Sequence, residues 1–319
     1  MDEKDTESIA RELARLNVWE KVAKHNFAII SEMALEPYLV SVNLEKAGPI
    51  AGRLLLFPGF DVFRDYRLFQ EVPDYGVAMS LLDFTHWEVI ALRDGTVQLY
   101  AYEPGYVPRP LSAEELSLLA PVLYECYGLF MRMEEEPDLP AKYVTQDSQR
   151  MFARKEGLDG KWRDTPLELP PVPNPLYQEQ VLLDKKKCAE AAKLGIDESV
   201  SWQIEFAQLP NFHTREDRPR FLYLFAGVDE TSGTRVIWDK ASVSGQPNGL
   251  KSLWEGLSAR LLLAVLRAGR IPAAVKVRSA RLARLIRPLG LQLPFKLVQQ
   301  SKLAAVVDEI NRAVAMGNV

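Results

Sequence analysis

Between Val275 and Gly290 the chain reads VKVRSARLARLIRPLG, four arginines and one lysine in sixteen residues with no acid among them. Arg278, Arg281, Arg284 and Arg287 recur every three residues, a spacing that keeps side chains on neighbouring parts of one helix face. At about 100° per residue, Arg281, Arg284 and Arg287 span an arc of about 120°, while Leu282, Leu285, Ile286 and Leu289 fill the other side. The spacing predicts a two-faced helix, aliphatic toward a core and cationic toward solvent. Arg278 closes the strand before it, near a helix N-terminus whose N–H groups already attract anions. These four arginines are the candidate surface for a phosphate or nucleic acid. The same face also fits two plainer roles: pairing with acids of another domain or a second subunit, and simple solvation. Single-stranded nucleic acid is usually held by stacking on aromatics, and Phe295 is the only aromatic after Gly256.

The cations are unevenly spread. The formal net charge of the 319 residues is -4, yet no acid falls between Gly256 and Val307, and the last 64 residues carry +9. The first 255 therefore carry -13. Such asymmetry bears on partners rather than on fold.

Other chemistries leave weaker traces. Asp229 and Glu230 are adjacent carboxylates and the candidate metal ligands, but they precede Thr-Ser-Gly, where acids commonly bond a turn's backbone. His25, His86 and His213 have no second ligand at metal spacing on their own elements. His86 begins a strand beside Trp87 and reads as structural, whereas His213 sits in a polar loop between strands. Asp61 and Asp65 share a helical face and pair most simply with Arg64 and Arg67. Cys126 and Cys188 lack both CxxC spacing and a histidine partner, so neither reads as a nucleophile. Gly227 to Thr234 lacks the spacing and lysine of a phosphate loop, and no GxGxxG or GxSxG occurs. The start MDEKDTES is no signal peptide, and the aliphatic run Leu261–Leu266 is far short of a membrane span. A cytoplasmic protein without cofactor or membrane contact is expected.

Two domains must position these residues. A helical pattern over 17–34 leads into strand-like runs at 38–44, 51–57, 75–84, 86–93 and 96–102, the last two joined at Asp94-Gly95. Ser112 and Glu115 form a capping box before a long helix. This predicts an α+β domain over 1–137, an antiparallel sheet with helices on one face. Residues 138–177, with five prolines in TPLELPPVPNPLY, read as an extended connector. The domain over 178–319 opens with a helix ending at Gly195. Strands at 201–209, 220–230 and 234–243 follow, then a helix 250–268 containing Glu255, a strand 273–279, the arginine helix, a strand 291–298 and a last helix 301–316. The order is β-β-β-α-β-α-β-α, an α/β domain with a mixed sheet.

That order is similar to the ribonuclease-H-like superfamily over residues 200–316. The resemblance implies two metal ions held by carboxylates on the first strand and at the end of the strand after the first helix. Asp229 and Glu230 are the acids available to the first position, but Arg278 and Ser279 stand at the second, where a guanidinium repels a cation. The resemblance therefore implies a fold kept without its catalysis. Separately, GVDETSGTRVIWD, AVLRAGRIPAAVKVRSARLARLIRPLGLQL and EPGYVPRPLSAEELSLLAPVLYE together resemble a bacterial family of uncharacterised two-domain proteins. The expectation is a non-enzymatic binding protein whose partner is a protein or a second copy ahead of nucleic acid. The alternative is a metal-dependent enzyme acting on a phosphate-bearing substrate.

Overall fold

A computed structural model describes residues 3–16, 19–23, 26–31, 36–44, 48–71, 84–143, 150–171, 181, 183–213, 218–243 and 249–317. Mixed sheets and helices make the protein α/β, and its contacts divide it into two compact units. No helix among the described residues is long and apolar enough to cross a membrane.

The first unit comprises residues 1–67, 84–103 and 108–172. Its strands are β1 (Asn26–Ile30), β2 (Tyr38–Leu44), β3 (Ile50–Pro58), β4 (His86–Leu92), β5 (Val97–Tyr102), β6 (Arg109–Pro110), β7 (Arg150–Glu156) and β8 (Trp162–Glu168). They form one sheet in the order β6-β5-β4-β3-β2-β1-β7-β8. Its helices are α1 (Glu3–Arg15), α2 (Trp19–Val22), α3 (Phe60–Glu71, in this unit as far as Arg67) and α4 (Ala113–Glu135). Alternation sorts the sheet's side chains: Leu54 and Leu56 join the core under α1 and α4, while Phe57 turns to the other face and stacks on Tyr66 of α3 at 4.4 Å. Each buried leucine contributes about 1.5–3 kcal/mol. Ser112 and Glu115 make both bonds of the expected capping box on α4.

Three readings of this half need correction. Among the described residues of the helix expected over 17–34, only Trp19–Val22 is helical. Phe27, Ala28 and Ile29 instead form β1, because a β-branched, apolar run fits a site between two strands. The sheet is mixed rather than antiparallel, since β1 pairs in parallel with β7 (Phe27 opposite Phe152). The connector read over 138–177 contains β7 and β8, an antiparallel hairpin with Met151 opposite Leu167. Its Pro166 sits in β8 at the sheet's edge, where proline is tolerated. The strand expected at 75–84 falls largely outside the described residues.

The second unit comprises 68–83, 104–107 and 173–319. It contains α5 (Lys185–Ala191), β9 (Ile196–His213), β10 (Arg220–Asp229), β11 (Arg235–Ser242), α6 (Gly249–Glu255), α7 (Leu257–Ala268), β12 (Ile271–Val277), α8 (Ala280–Gly290), β13 (Lys296–Gln299) and α9 (Ala304–Ala315). The sheet order is β11-β10-β9-β12-β13; β9, β10 and β11 are antiparallel, and β12 runs parallel to both β9 and β13. Central β9 sends Trp202, Ile204 and Phe206 into the core shared with Trp254 of α6, Leu261 of α7 and Leu285 of α8. Its Leu209 faces the core with Val306 and Ile310 of α9. Gly227 lets β10 pass this core: a Cβ there would stand 2.7 Å from Cδ1 of Ile204. The helix expected over 250–268 divides at Gly256 and closes at Gly269 (φ 65°), a left-handed position suited to glycine. The first helix is shorter than expected, starting at Asp184, which accepts from the N–H groups of Lys186 and Lys187.

Candidate functional site

The arginine segment forms the exit of β12 and all of α8. Ser279 caps the helix by accepting from the N–H of Leu282 at 3.1 Å. Leu282, Leu285, Ile286 and Leu289 are buried, as the wheel predicts. The arginines, however, do not share one solvated face. Arg281 is only 6% exposed, and its guanidinium carbon lies 4.1 Å from the centre of the Trp254 ring. Trp254 in turn meets Phe206 edge-on at 4.7 Å, so Arg281 closes a core stack. The wheel misses this because Arg281 borders the apolar arc and α6 brings an aromatic over it. Arg284 is half-buried, and only Arg278 and Arg287 are exposed.

Arg278 is spoken for. Its Nε lies 3.1 Å from Oε2 of Glu205, a buried carboxylate on β9. Burial pushes the Glu205 carboxyl above the usual carboxylate range, against the pull of Arg278. Sequence reading overlooked Glu205; its signal is a lone acid in the apolar strand pattern WQIEFAQL. The pairing follows from register, since Val277 lies opposite Ile204 and their successors meet one step further on.

Asp229 ends β10, the second strand of this unit rather than the first, and Glu230 follows it in the turn. Asp229 accepts from the N–H groups of Thr231 (2.9 Å) and Ser232 (3.2 Å), the turn role that the sequence allowed. Arg270 approaches its other oxygen at 3.6 Å. Glu230 accepts from Gln203 Nε2 at 3.0 Å and from Lys276 Nζ. Lys276 holds its carboxyl below the usual range. The structure thus gives both acids local partners, and among the described residues no three His, Cys, Asp or Glu gather to hold a metal ion.

The remaining sequence candidates disperse. His86 is buried in the first unit, its ring stacked on Tyr102 at 4.5 Å and its Nδ1 3.0 Å from the carbonyl of Phe84. His213 ends β9 opposite Arg220 instead of lying in a loop; its side chain and all of His25 lie outside the described residues. Arg64 donates to Asp61 at 2.7 Å, and the Asp65 side chain is likewise undescribed. Cys126 and Cys188 are both buried, and burial raises both thiols, which keeps them protonated and poorly nucleophilic.

What stands open is the far side of α8. A cavity of about 230 Å³ between α8 and β13 is lined by apolar Ala283, Leu291, Phe295 and Leu297 and by polar Arg287 and Gln299. Arg287 and Lys296 of β13 are exposed and make no ion pair among the described residues, as do Arg267 and Lys302. The cavity therefore joins an apolar lining to an unneutralised cation.

A family model described as "Domain of unknown function (DUF6930)" matches residues 188–314, from within α5 almost to the end of α9. No curated protein matches the chain.

Proposed function

We propose that this is a non-enzymatic cytoplasmic binding protein of a bacterial two-domain family. Its second unit is read as a ribonuclease-H-like module without metal-holding carboxylates, presenting the α8–β13 side to an acidic protein partner. The order β11-β10-β9-β12-β13, three antiparallel strands followed by two parallel to the centre, supports the fold part of this reading. The observation that carries the functional part is the occupation of every candidate ligand. Asp229 is bonded into its turn, Glu230 is paired with Lys276, and Arg278 stands at the end of β12. On the face toward α6–α8, β9 offers Trp202, Ile204 and Phe206 instead of an acid. Nucleic acid is the less favoured polyanion, because Phe295 is buried and gives bases no platform for stacking.

Two measurements test this. Melting in about 5 mM Mg²⁺ or Mn²⁺ should match melting in EDTA within about 1 °C, since an ion that binds only the native state raises the midpoint. A rise of several degrees, lost in Asp229→Asn with Glu230→Gln, would overturn the reading in favour of a metal-dependent enzyme. Labelled polyglutamate should bind in low salt and weaken steeply as salt rises, and Arg287→Glu with Lys296→Glu should abolish that binding. Binding indifferent to both changes would refute the assigned face.

A further inference from the structure

Among the described residues no strand pairs with the outer edge of β13, which has the geometry of a strand-acceptor. Gln300 donates its N–H to the carbonyl of Val277 at 2.9 Å. By alternation, Val298 and Lys296 also turn their backbone groups toward β12. Leu297 and Gln299 therefore turn theirs outward, because β13 ends the sheet. The same two residues line the α8–β13 cavity with their neighbours Leu291, Phe295 and Arg287. Backbone groups with no strand partner among the described residues, an apolar recess and a cation thus lie side by side. Leu291, 79% exposed, extends the recess to the surface.

We propose that this edge takes an extended acidic segment of a partner protein, which adds to β13 as a further strand. One apolar side chain of the segment enters the cavity, and a neighbouring carboxylate meets Arg287. The proposal deepens the acidic-partner reading above and rests on it. Strand addition draws affinity from main-chain hydrogen bonds and specificity from alternate side-chain pockets. Charge chooses the occupant. No acid occurs from Gly256 to Val307, so a second copy of this edge would set Arg287 and Lys296 against their own kind. The shortness of β13, Pro294 before it and Lys296 within it discourage pairing with an uncharged strand and leave an acidic one favoured.

The test is fluorescence polarisation of the full chain with labelled Glu-Val-Asp-Leu-Glu-Val-Asp, alongside labelled polyglutamate. Gln299→Pro removes one outward N–H at an edge position that tolerates proline, and Gln299→Ala keeps it. Both variants lose the Gln299 amide from the cavity lining, so they are compared with each other: the proline variant should bind the heptapeptide about fivefold or more weakly than the alanine variant. Arg287→Glu should weaken it at least as much, while polyglutamate binding should ignore Gln299→Pro. A heptapeptide N-methylated at alternate amides, tested on the native chain, must lose affinity likewise and covers a proline variant that fails to fold. Equal binding by the proline and alanine variants, indifference to N-methylation, or no heptapeptide binding to the native chain overturns strand addition. Polyglutamate binding that persists and still depends on Arg287 and Lys296 then leaves the broader reading standing; its absence removes both.

Discussion

Replacing Arg281 with methionine separates the structural arginine of α8 from the binding one. The guanidinium carbon lies 4.1 Å from the Trp254 ring centre and the residue is 6% exposed, so the cation–π contact is desolvated. A contact of this kind contributes about 1–2 kcal/mol. Methionine keeps most of the aliphatic stem over the ring, so the loss measures the charged head rather than packing. In a unit of roughly 170 residues each kcal/mol moves the midpoint by about 2–4 °C, which predicts a fall of about 2–8 °C for the second unit. Arg287→Met, at an exposed position, should change stability by no more than about 0.5 kcal/mol. Binding should show the opposite ranking, with Arg287→Met weakening the acidic heptapeptide and Arg281→Met leaving it unchanged. Scanning calorimetry and polarisation on the same samples read both. The reasoning fails if Arg281→Met melts with the native protein, or if it weakens the peptide while stability stays constant.

Two further expectations concern the first unit. Arg109 donates to both oxygens of Glu115 (2.6 and 2.7 Å), and the Ser112 amide and hydroxyl add further bonds. With Arg109 the largest cause, the Glu115 carboxyl falls from the usual 4.5 to about 2. Because the folded value is the lower one, this stabilisation is present above about pH 4.5 and fades as pH falls toward 2. Glu115→Gln should cost about 1–2 kcal/mol at neutral pH after solvent screening and markedly less near pH 2, where the folded carboxyl is half protonated; equal losses in urea titrations at both pH values would count against the linkage. Burial holds His86 below its usual 6.5, so the unfolded chain takes up a proton that the native unit refuses. Stability should fall as pH drops below 6.5, by up to about 1.4 kcal/mol per pH unit, and His86→Phe should flatten that slope in urea titrations between about pH 5 and 6.5. An unchanged slope in the variant would assign it to another group.

Legibility in the sequence tracked how local each signal was. The Ser112–Glu115 cap and the Asp94-Gly95 turn lie within a few residues of what they control, and the structure contains both. The apolar arc of α8 was equally plain, because helical period alone sorts Leu282, Leu285, Ile286 and Leu289. Misreadings arose where a distant partner decides. Phe27 and Ile30 suit a helical stripe as well as a strand, and only the positions of β2 and β7 make them part of β1. Pro166 suggested a connector because its place at a sheet edge cannot be read from neighbours. Arg281 lies at the border of the wheel, and nothing local says that Trp254, twenty-seven residues earlier, will lie beneath it.

The same dependence on register explains which charges remain for a partner. Gln203 on β9 lies opposite Val228 of β10 and Lys276 of β12, so side chains from three strands meet on one face of the sheet. Gln203 and Lys276 both bond Glu230 there, and one step along β9 Glu205 meets Arg278. This ladder ties the antiparallel half of the sheet to the parallel half while neutralising two of the cations and the acids nearest them. A carboxylate bound by a lysine or an arginine is a poor metal ligand, since the metal must displace a charge already in contact with it. Arg287 and Lys296 lie beyond the ladder's reach, on α8 and the outermost strand, with no acid on their own elements. The charge exposed to a partner is therefore the residue of internal pairing and not the whole basic segment. Its position beside a strand edge that no described strand covers is what favours an extended acidic peptide over a diffuse polyanion.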